Sequence, residues 1–517
     1  MSNIVHHLAH RKDREEGSGT NAKAIPFNQQ DFRTLREQAV WRRALQSGAL
    51  FCDLTFPAEA ESLGYNELGR YSSKTRGVEW KRPTEICRNP QFNVGGAAKR
   101  IDICQGDLGD CWLLAAIASL TLDKDILARV VPKDQSFQVN YAGIFHFQFW
   151  RYGEWVDVVI DDRLPVRDGK LLFVHSAEGD FWSALLEKAY AKVSGCYESL
   201  NRGNTMEGFE DFTGGIAEKF DLSKDPPFLY KIMKKALGLG SLLGCSIYSD
   251  PDTEAKTTMN LWKGHAYSVT AAEVEHLHES PVQLVRIRNP WGHTEWTGAW
   301  SSKSSKWDDV RPEEAKLNVT ADNGEFWMAY SDFTCQFSRL EICNLTPDAL
   351  TSDEVGRWNH YQFEGTWEVG STAGGCKNYT ATFCSNPQFF IHLKEVDDDP
   401  HDEEDGCSFL VGLMQKDMRR EKMSGHDFNT IGYAIYQVPD KYKGRSNIHL
   451  GPDVLLQQRP VAETRIFKKR RERSCRYKLL PGEYVIVPST REPHCKGSFV
   501  LRVFSEKHAA TRWSQRS

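Results

Sequence analysis

The sequence contains no Cys-x-x-Cys pair, and its 13 cysteines, spread from Cys52 to Cys495, follow no regular spacing. This excludes a zinc ribbon and a dithiol redox site. An odd, irregular set is no disulfide framework either, so the thiols are expected to be reduced. No run reaches the roughly 18–20 uninterrupted apolar residues of a membrane span, and the mean hydropathy is −0.53. The short apolar stretch within residues 1–16 is interrupted by His6 and His7 and is not a signal peptide. Neither sign of charge dominates: 65 Lys and Arg against 70 Asp and Glu leave −5, which argues against a surface built for nucleic acid. An EF-hand loop is also missing, because the nearest pattern, His401 to Gly406, begins with His and has Glu403 at its third place. A cytoplasmic location is expected, in which the sequons at Asn318, Asn344 and Asn378 have no meaning.

What is present fits roughly three domains, since 517 residues with 40% hydrophobic content can bury several cores. Residues 1–20 pair a short amphipathic pattern (Ile4, Val5, Leu8) with a charged run and a Gly-Ser-Gly breaker, as expected for an N-terminal anchor helix; residues 27–50 read as a second helix. Residues 111–122 are apolar on nearly all faces and predict a buried helix, with Asp107 and Asp110 as N-cap candidates. Residues 144–160 predict a hairpin turning at Tyr152 and Gly153, and residues 181–193 an amphipathic helix. Beyond Gly214 and Gly215, a candidate hinge, short β-rich segments at 242–248, 265–274, 282–288 and 326–330 predict a mostly antiparallel sheet. From about residue 351 the chain is mainly β, with strands expected at 367–369, 389–393, 407–414, 430–437, 484–487 and 498–504. An acidic loop (395–405) and a basic run (468–476) lie among them. The fold class expected is α+β, a two-lobed core followed by an antiparallel β-sandwich. Its divisions are 1–20, 21–213, 214–350, 351–507 and a divergent tail, 508–517.

The chemistry concentrates in QGDLGDCWLL, residues 105–114. A cysteine opening an apolar helix feels the positive helix end, which favours the thiolate. Gly106 and Gly109 permit close backbone approach, and the Gln105 amide and the Cys111 N–H can aim at one developing oxyanion. A thiolate needs a base and the base an orienting group. His265 precedes a β-run and Asn289 ends the next one, so an antiparallel pairing of the two strands makes them neighbours. The order Cys111, His265, Asn289 is that of papain-like proteases.

The segments QGDLGDCWLLAAIASL (105–120), KGHAYSV (263–269), RIRNPWG (286–292), EWKRPTEIC (79–87) and FWSALLEKAYAK (181–192), with GSTAGGC (370–376) and FLVGLMQK (409–416) in the sandwich, resemble the calpains, calcium-dependent intracellular cysteine endopeptidases. The likeness runs to about residue 507 and is closest to the conventional large subunits. It implies Cys111 as nucleophile, His265 as base, Asn289 as its orienting group, Gln105 at the oxyanion and Trp291 covering the Asn–His bond. It also implies lobes that close on calcium, about Gly214 and Gly215.

The resemblance places one calcium site in each lobe: Val94, Gly96, Asp102 and Asp180 in the first, Glu295, Ser302, Asn323 and Glu325 in the second. Asp180 stands where the family has Glu, and Ser302 and Asn323 where it has Asp; losing two charged ligands weakens a calcium site. The partners expected are protein substrates and no nucleic acid; the basic residues 468–471 and the acidic loop 397–405 either interact across domains or bind anionic phospholipid and calcium respectively, the lipid contact giving calcium-dependent membrane association. A monomer is expected, because the family's penta-EF-hand domain, which pairs with a small regulatory subunit, has no counterpart here. Two other readings stay open: a calcium- and phospholipid-responsive binding protein with a poorly active core, and a transglutaminase-like acyl transferase, which would use Asp in place of Asn289.

Overall fold

The computed structural model describes residues 43–44, 46–92, 103–121, 123–176, 180–201, 203–224, 228–248, 255–277, 280–289, 296–309, 324–345, 359–396, 406–421, 425–445, 448–505 and 509–514. The expected anchor helix 1–20, nearly all of the helix expected at 27–50, Val94, Gly96, Asp102, Trp291, Glu295, Asn323 and the acidic loop from 397 to 405 lie outside these residues.

Helix α1, Cys111–Leu120, is the centre of the first lobe, and every residue after Cys111 in it is buried, as an all-apolar face pattern requires. A hairpin of β1, Ile144–Arg151, and β2, Glu154–Asp161, packs beside it. Its two-residue turn has φ of +54° at Tyr152 and +118° at Gly153, the positive values that suit the twist of a tight hairpin. Helix α2, Trp182–Ser194, departs from the expected amphipathic character, for only Lys192 and Val193 escape full burial. Its lysines are drawn inward by carboxylates, Lys188 to Asp161 at 2.6 Å and Lys192 to Asp53 at 2.6 Å. Helix α3, Thr205–Thr213, begins under an Asn204 side-chain cap and ends at Gly214, whose left-handed φ of +71° is the usual stop for a helix.

The second lobe is one antiparallel sheet: β3, Ile216–Asp221; β4, Leu242–Ser246; β5, Ala266–Leu277; β6, Ser280–Arg288; β7, Glu325–Ala329; and β8, Arg339–Asn344. Their spatial order is β7-β6-β5-β4-β8-β3. Helix α1 lies on β4 and β5, and the buried hydroxyls of Ser119 and Ser268 meet there at 2.5 Å.

The third region is a sandwich. One sheet has β9, Asn359–Trp367; β11, Cys407–Gln415; β13, Glu472–Leu479; and β15, Gly497–Ser505, in the order β9-β15-β11-β13. The other has β10, Gln388–Leu393; β12, Thr430–Gln437; β14, Gly482–Thr490; and β16, Ala509–Ser514, in the order β12-β14-β10-β16. Two expectations are corrected. Trp367 ends β9 rather than opening a strand, and its indole is fully buried between the sheets. The segment read as a divergent tail supplies β16, which pairs with β10 along its whole length because that edge otherwise presents unpaired backbone groups.

Buried arginines join the sandwich to the lobes. Arg471 reaches α3, with Asp211 at 2.8 Å and Glu210 at 2.6 Å. Arg502, fully buried, donates to the carbonyls of Gly214 at 3.0 Å and Gly215 at 2.7 Å and pairs with Glu472 at 2.6 Å. Arg419 pairs with Glu207 at 2.8 Å and lies over the Trp112 ring, 4.7 Å from its centroid. Removing one partner of a buried pair leaves an uncompensated charge, a loss of about 3 kcal/mol. Arg471→Met is therefore expected to lower stability by about that amount in urea unfolding, with Glu210→Gln added to it restoring part of the loss, since Asp211 keeps its pair with Arg151 at 3.0 Å.

Candidate active site

The loop before Cys111 is shaped by backbone contacts. A Cβ on Gly106 would stand 2.4 Å from the carbonyl oxygens of Leu172 and Phe173, so only glycine lets the loop press against that bend. Asp107 N–H donates to Leu172 O at 2.9 Å, and Gly109 N–H to Asn201 Oδ1 at 2.8 Å. The Gln105 carboxamide donates to Leu108 O at 2.7 Å, which uses one of its two N–H groups and holds the side chain within the loop. Trp112 is locked by a 2.8 Å bond from its indole N–H to Leu200 O.

The capping expectation is corrected. Asp110 occupies the N-cap position of α1, but its carboxylate makes no bond to the helix N–H groups, and Asp107 pairs instead with Arg167 at 3.2 Å. Asp110 is wholly buried, and burial pushes its carboxyl up to about 6, against the lowering effect of a bond with Glu187. Glu187, on α2, is raised well above the usual carboxylate range by burial and by the Asp110 charge. Two carboxyls in a dry site behind the cysteine are thus held short of full ionisation.

On the opposite side, β5 and β6 pair antiparallel with Ser268 opposite Arg288, so His265, just before β5, meets Asn289, just after β6. His265 Nε2 and Asn289 Oδ1 are 3.0 Å apart. Asn289 is fully buried and His265 is 4% exposed. Burial pushes the imidazole down to about 4, the Asn289 bond acting in the opposite direction, so the ring is neutral at pH 7.

Cys111 and His265 line one cavity of about 580 Å³ between the lobes. Gln105 is not among its described lining residues. The sandwich contributes Asp427, Phe428, Lys469, Arg470, Arg471 and Glu472 to the cavity wall, a contribution that sequence reading missed although the basic run was visible. Arg471 is 4% exposed and bound to Glu210 and Asp211, so it is unavailable for the lipid contact expected of residues 468–471. The glycine pair is firmly held: a Cβ on Gly215 would stand 2.5 Å from Asn344 O, and both carbonyls are taken by Arg502.

The calcium candidates that can be placed lie apart. Asp180, 3% exposed, bridges to Gln91 in the first lobe. Glu325 starts β7 opposite Arg288, and Ser302 sits half-buried in the turn after Trp300. Each lobe thus offers one described carboxylate, and among the described residues no three His, Cys, Asp or Glu side chains gather to hold an ion. Likewise, among the described residues no helix is long and apolar enough to cross a membrane.

Comparison with known proteins adds the family. Residues 51–344 match the model of the calpain family cysteine protease, and residues 363–504 match that of calpain large subunit domain III. The chain is 60% identical over 513 residues to the mouse (Mus musculus) calpain-2 catalytic subunit, covering 98% of this chain and 72% of that one. It is 58% identical to the human (Homo sapiens) calpain-2 catalytic subunit with the same coverage. It is 57% identical over 512 residues to the chicken (Gallus gallus) calpain-1 catalytic subunit, again over 98% and 72% of the two chains. With identity this high across both the core and the sandwich, the chain belongs to the calpain family of cysteine proteases.

Proposed function

We propose that the chain is a calcium-regulated intracellular endopeptidase with papain-like lobes, making limited cuts in cytosolic and cytoskeletal proteins through Cys111, His265 and Asn289. The observation that supports this most directly is the 3.0 Å His265–Asn289 bond in a cavity that Cys111 also lines. An amide oxygen only accepts, so Nε2 carries the proton and Nδ1 is the basic nitrogen. Nδ1 takes the thiol proton as Cys111 Sγ attacks the scissile carbonyl carbon, and returns it to the leaving amine. The resulting thioester is hydrolysed by water with the same nitrogen as base. The second N–H of Gln105 and the Cys111 backbone N–H stabilise the oxyanion, and Trp291 shields the Asn289–His265 bond from water. Closure about Gly214 and Gly215 aligns the two sides.

Calcium fits the oxygen donors of the two described carboxylates, Asp180 and Glu325. Val94, Gly96 and Asp102 would complete the first site with Asp180, and Glu295, Ser302 and Asn323 the second with Glu325. When bound, the ion supplies positive charge that draws the oxygen ligands of each lobe together. Ser302 and Asn323 add no charge, so the second site is the weaker.

Calcium-dependent cleavage of casein is expected and should vanish in Cys111→Ser. No cleavage by the folded wild-type chain at millimolar calcium, with circular dichroism unchanged, would favour a binding protein instead. The double variant Ser302→Asp, Asn323→Asp is expected to lower the calcium needed for half activity; an unchanged requirement counts against the second site. A separate expectation concerns pH. The folded-state imidazole of His265, at about 4, lies below its ordinary value of 6.5, so between these values the unfolded chain holds the extra proton. Stability therefore falls as pH drops from 6.5 towards 4, and His265→Gln should flatten that part of the denaturation profile. The same slope in both proteins would show that the imidazole is not the group responsible.

A further inference from the structure

The seam between the second lobe and the sandwich gathers cations that have few counter-charges. Lys219 of β3 and Arg339 of β8 face Lys468, Arg470 and Arg473 of the sandwich. Among the described residues, Lys219, Lys468, Arg470 and Arg473 make no ion pair; Arg339 has Glu341 at 3.2 Å, and the adjacent Lys469 has Asp427 at 2.7 Å. Burial pushes the Lys219 ammonium down to about 8, with Arg339 and Arg470 adding repulsion and Glu341, a carboxylate acting on both Lys219 and Arg470, opposing it. The Arg470 guanidinium is likewise held below its ordinary range by burial, then by Arg339 and Arg473. Like charges crowded in a half-dry seam cost stability unless an anion lies between them.

Arg339 and Arg470 line the cavity that also holds Cys111 and His265. A flat membrane cannot enter a cavity walled by two lobes and a sandwich, whereas an extended polypeptide lying in the cleft passes these side chains. We infer that Arg339 and Arg470, in the wall of the cleft and backed by the charges of Lys219, Lys468 and Arg473, form an anion subsite that takes an acidic stretch of a protein substrate flanking the cut. This rests on the protease reading of the same cavity. Carboxylate side chains of the substrate supply the missing counter-charge, so the subsite is a specificity determinant rather than part of the catalytic machinery.

The test uses two fluorescein-labelled peptides, identical around the cut, with flanks rich in Asp and Glu or in Asn and Gln. Fluorescence anisotropy with the Cys111→Ser chain at low salt is expected to show the acidic peptide bound at least about threefold tighter, an advantage that shrinks as salt rises. Lys219→Gln with Arg470→Gln should remove the advantage, and Arg470→Lys should keep it. In the active chain the ratio of kcat/KM for the two peptides should follow the same pattern. Equal binding of both peptides, or an advantage retained in the double variant, overturns the inference, as does displacement of the acidic peptide by phosphatidylserine vesicles but not by unlabelled acidic peptide. Preferential binding together with no cleavage of either peptide by the active chain would defeat the protease reading while leaving the anion subsite in place.

Discussion

Arg471 is a full charge at the meeting of two domains, 4% exposed, and such a charge persists only where carboxylates meet it. Helix α3 supplies them from Glu210 and Asp211, and its Glu207 holds Arg419 in the same way. The helix then stops at Gly214, where Arg502 takes the next two carbonyls. Helix α3 of the first lobe thus carries much of the attachment of the sandwich, Arg476 adds a pair with Glu218 of β3 at 2.8 Å, and the end of the helix is the passage to the second lobe. Arg419 also lies over Trp112, the residue after the proposed nucleophile, so the attachment and the catalytic loop share a side chain. In this arrangement the sandwich is held to the lobes by hydrogen bonds and buried charge together with a small apolar contact of Ile216 with Leu410 and Phe504.

The two sides of the cleft solve opposite electrostatic problems. Behind Cys111, Asp110 and Glu187 are buried together, and desolvation keeps the pair from carrying two negative charges next to the start of α1. Across the cavity, His265 is neutral because burial outweighs the bond it donates to Asn289. At the sandwich end the excess is of positive charge, and there the groups stay charged because they are only half-buried. Groups held near neutrality thus lie beside the proposed chemistry, while Lys219, Arg339 and Arg470 crowd positive charge at the seam with the sandwich.

Much of the catalytic side was legible in the residues. The all-apolar run after Cys111 became a buried helix, the Tyr152–Gly153 turn joined a hairpin, and the placement of His265 and Asn289 at facing strand ends came from alternation and turn residues alone. The misreadings share one cause. Helix α2 looked amphipathic because Lys188 and Lys192 are charged, Asp110 looked like a cap because it precedes a helix, and all of the basic run looked available to anionic phospholipid. In each case the decisive partner lies far along the chain: Asp161 and Asp53 for the lysines, Glu187 for Asp110, α3 for Arg471.

By itself the sequence determined the local structure that presents the candidate site, because helix starts, turns and strand alternation depend on residues a few places apart. Only the tertiary structure decided which charges are neutralised, which carboxyls remain protonated and which domains wall the cleft. It also turned residues 509–514 from an unassigned tail into an edge strand. Those outcomes depend on burial and on pairings across hundreds of residues, as with Arg471 and Asp211, where the energy of a charge is set by what surrounds it and not by its neighbours in the chain.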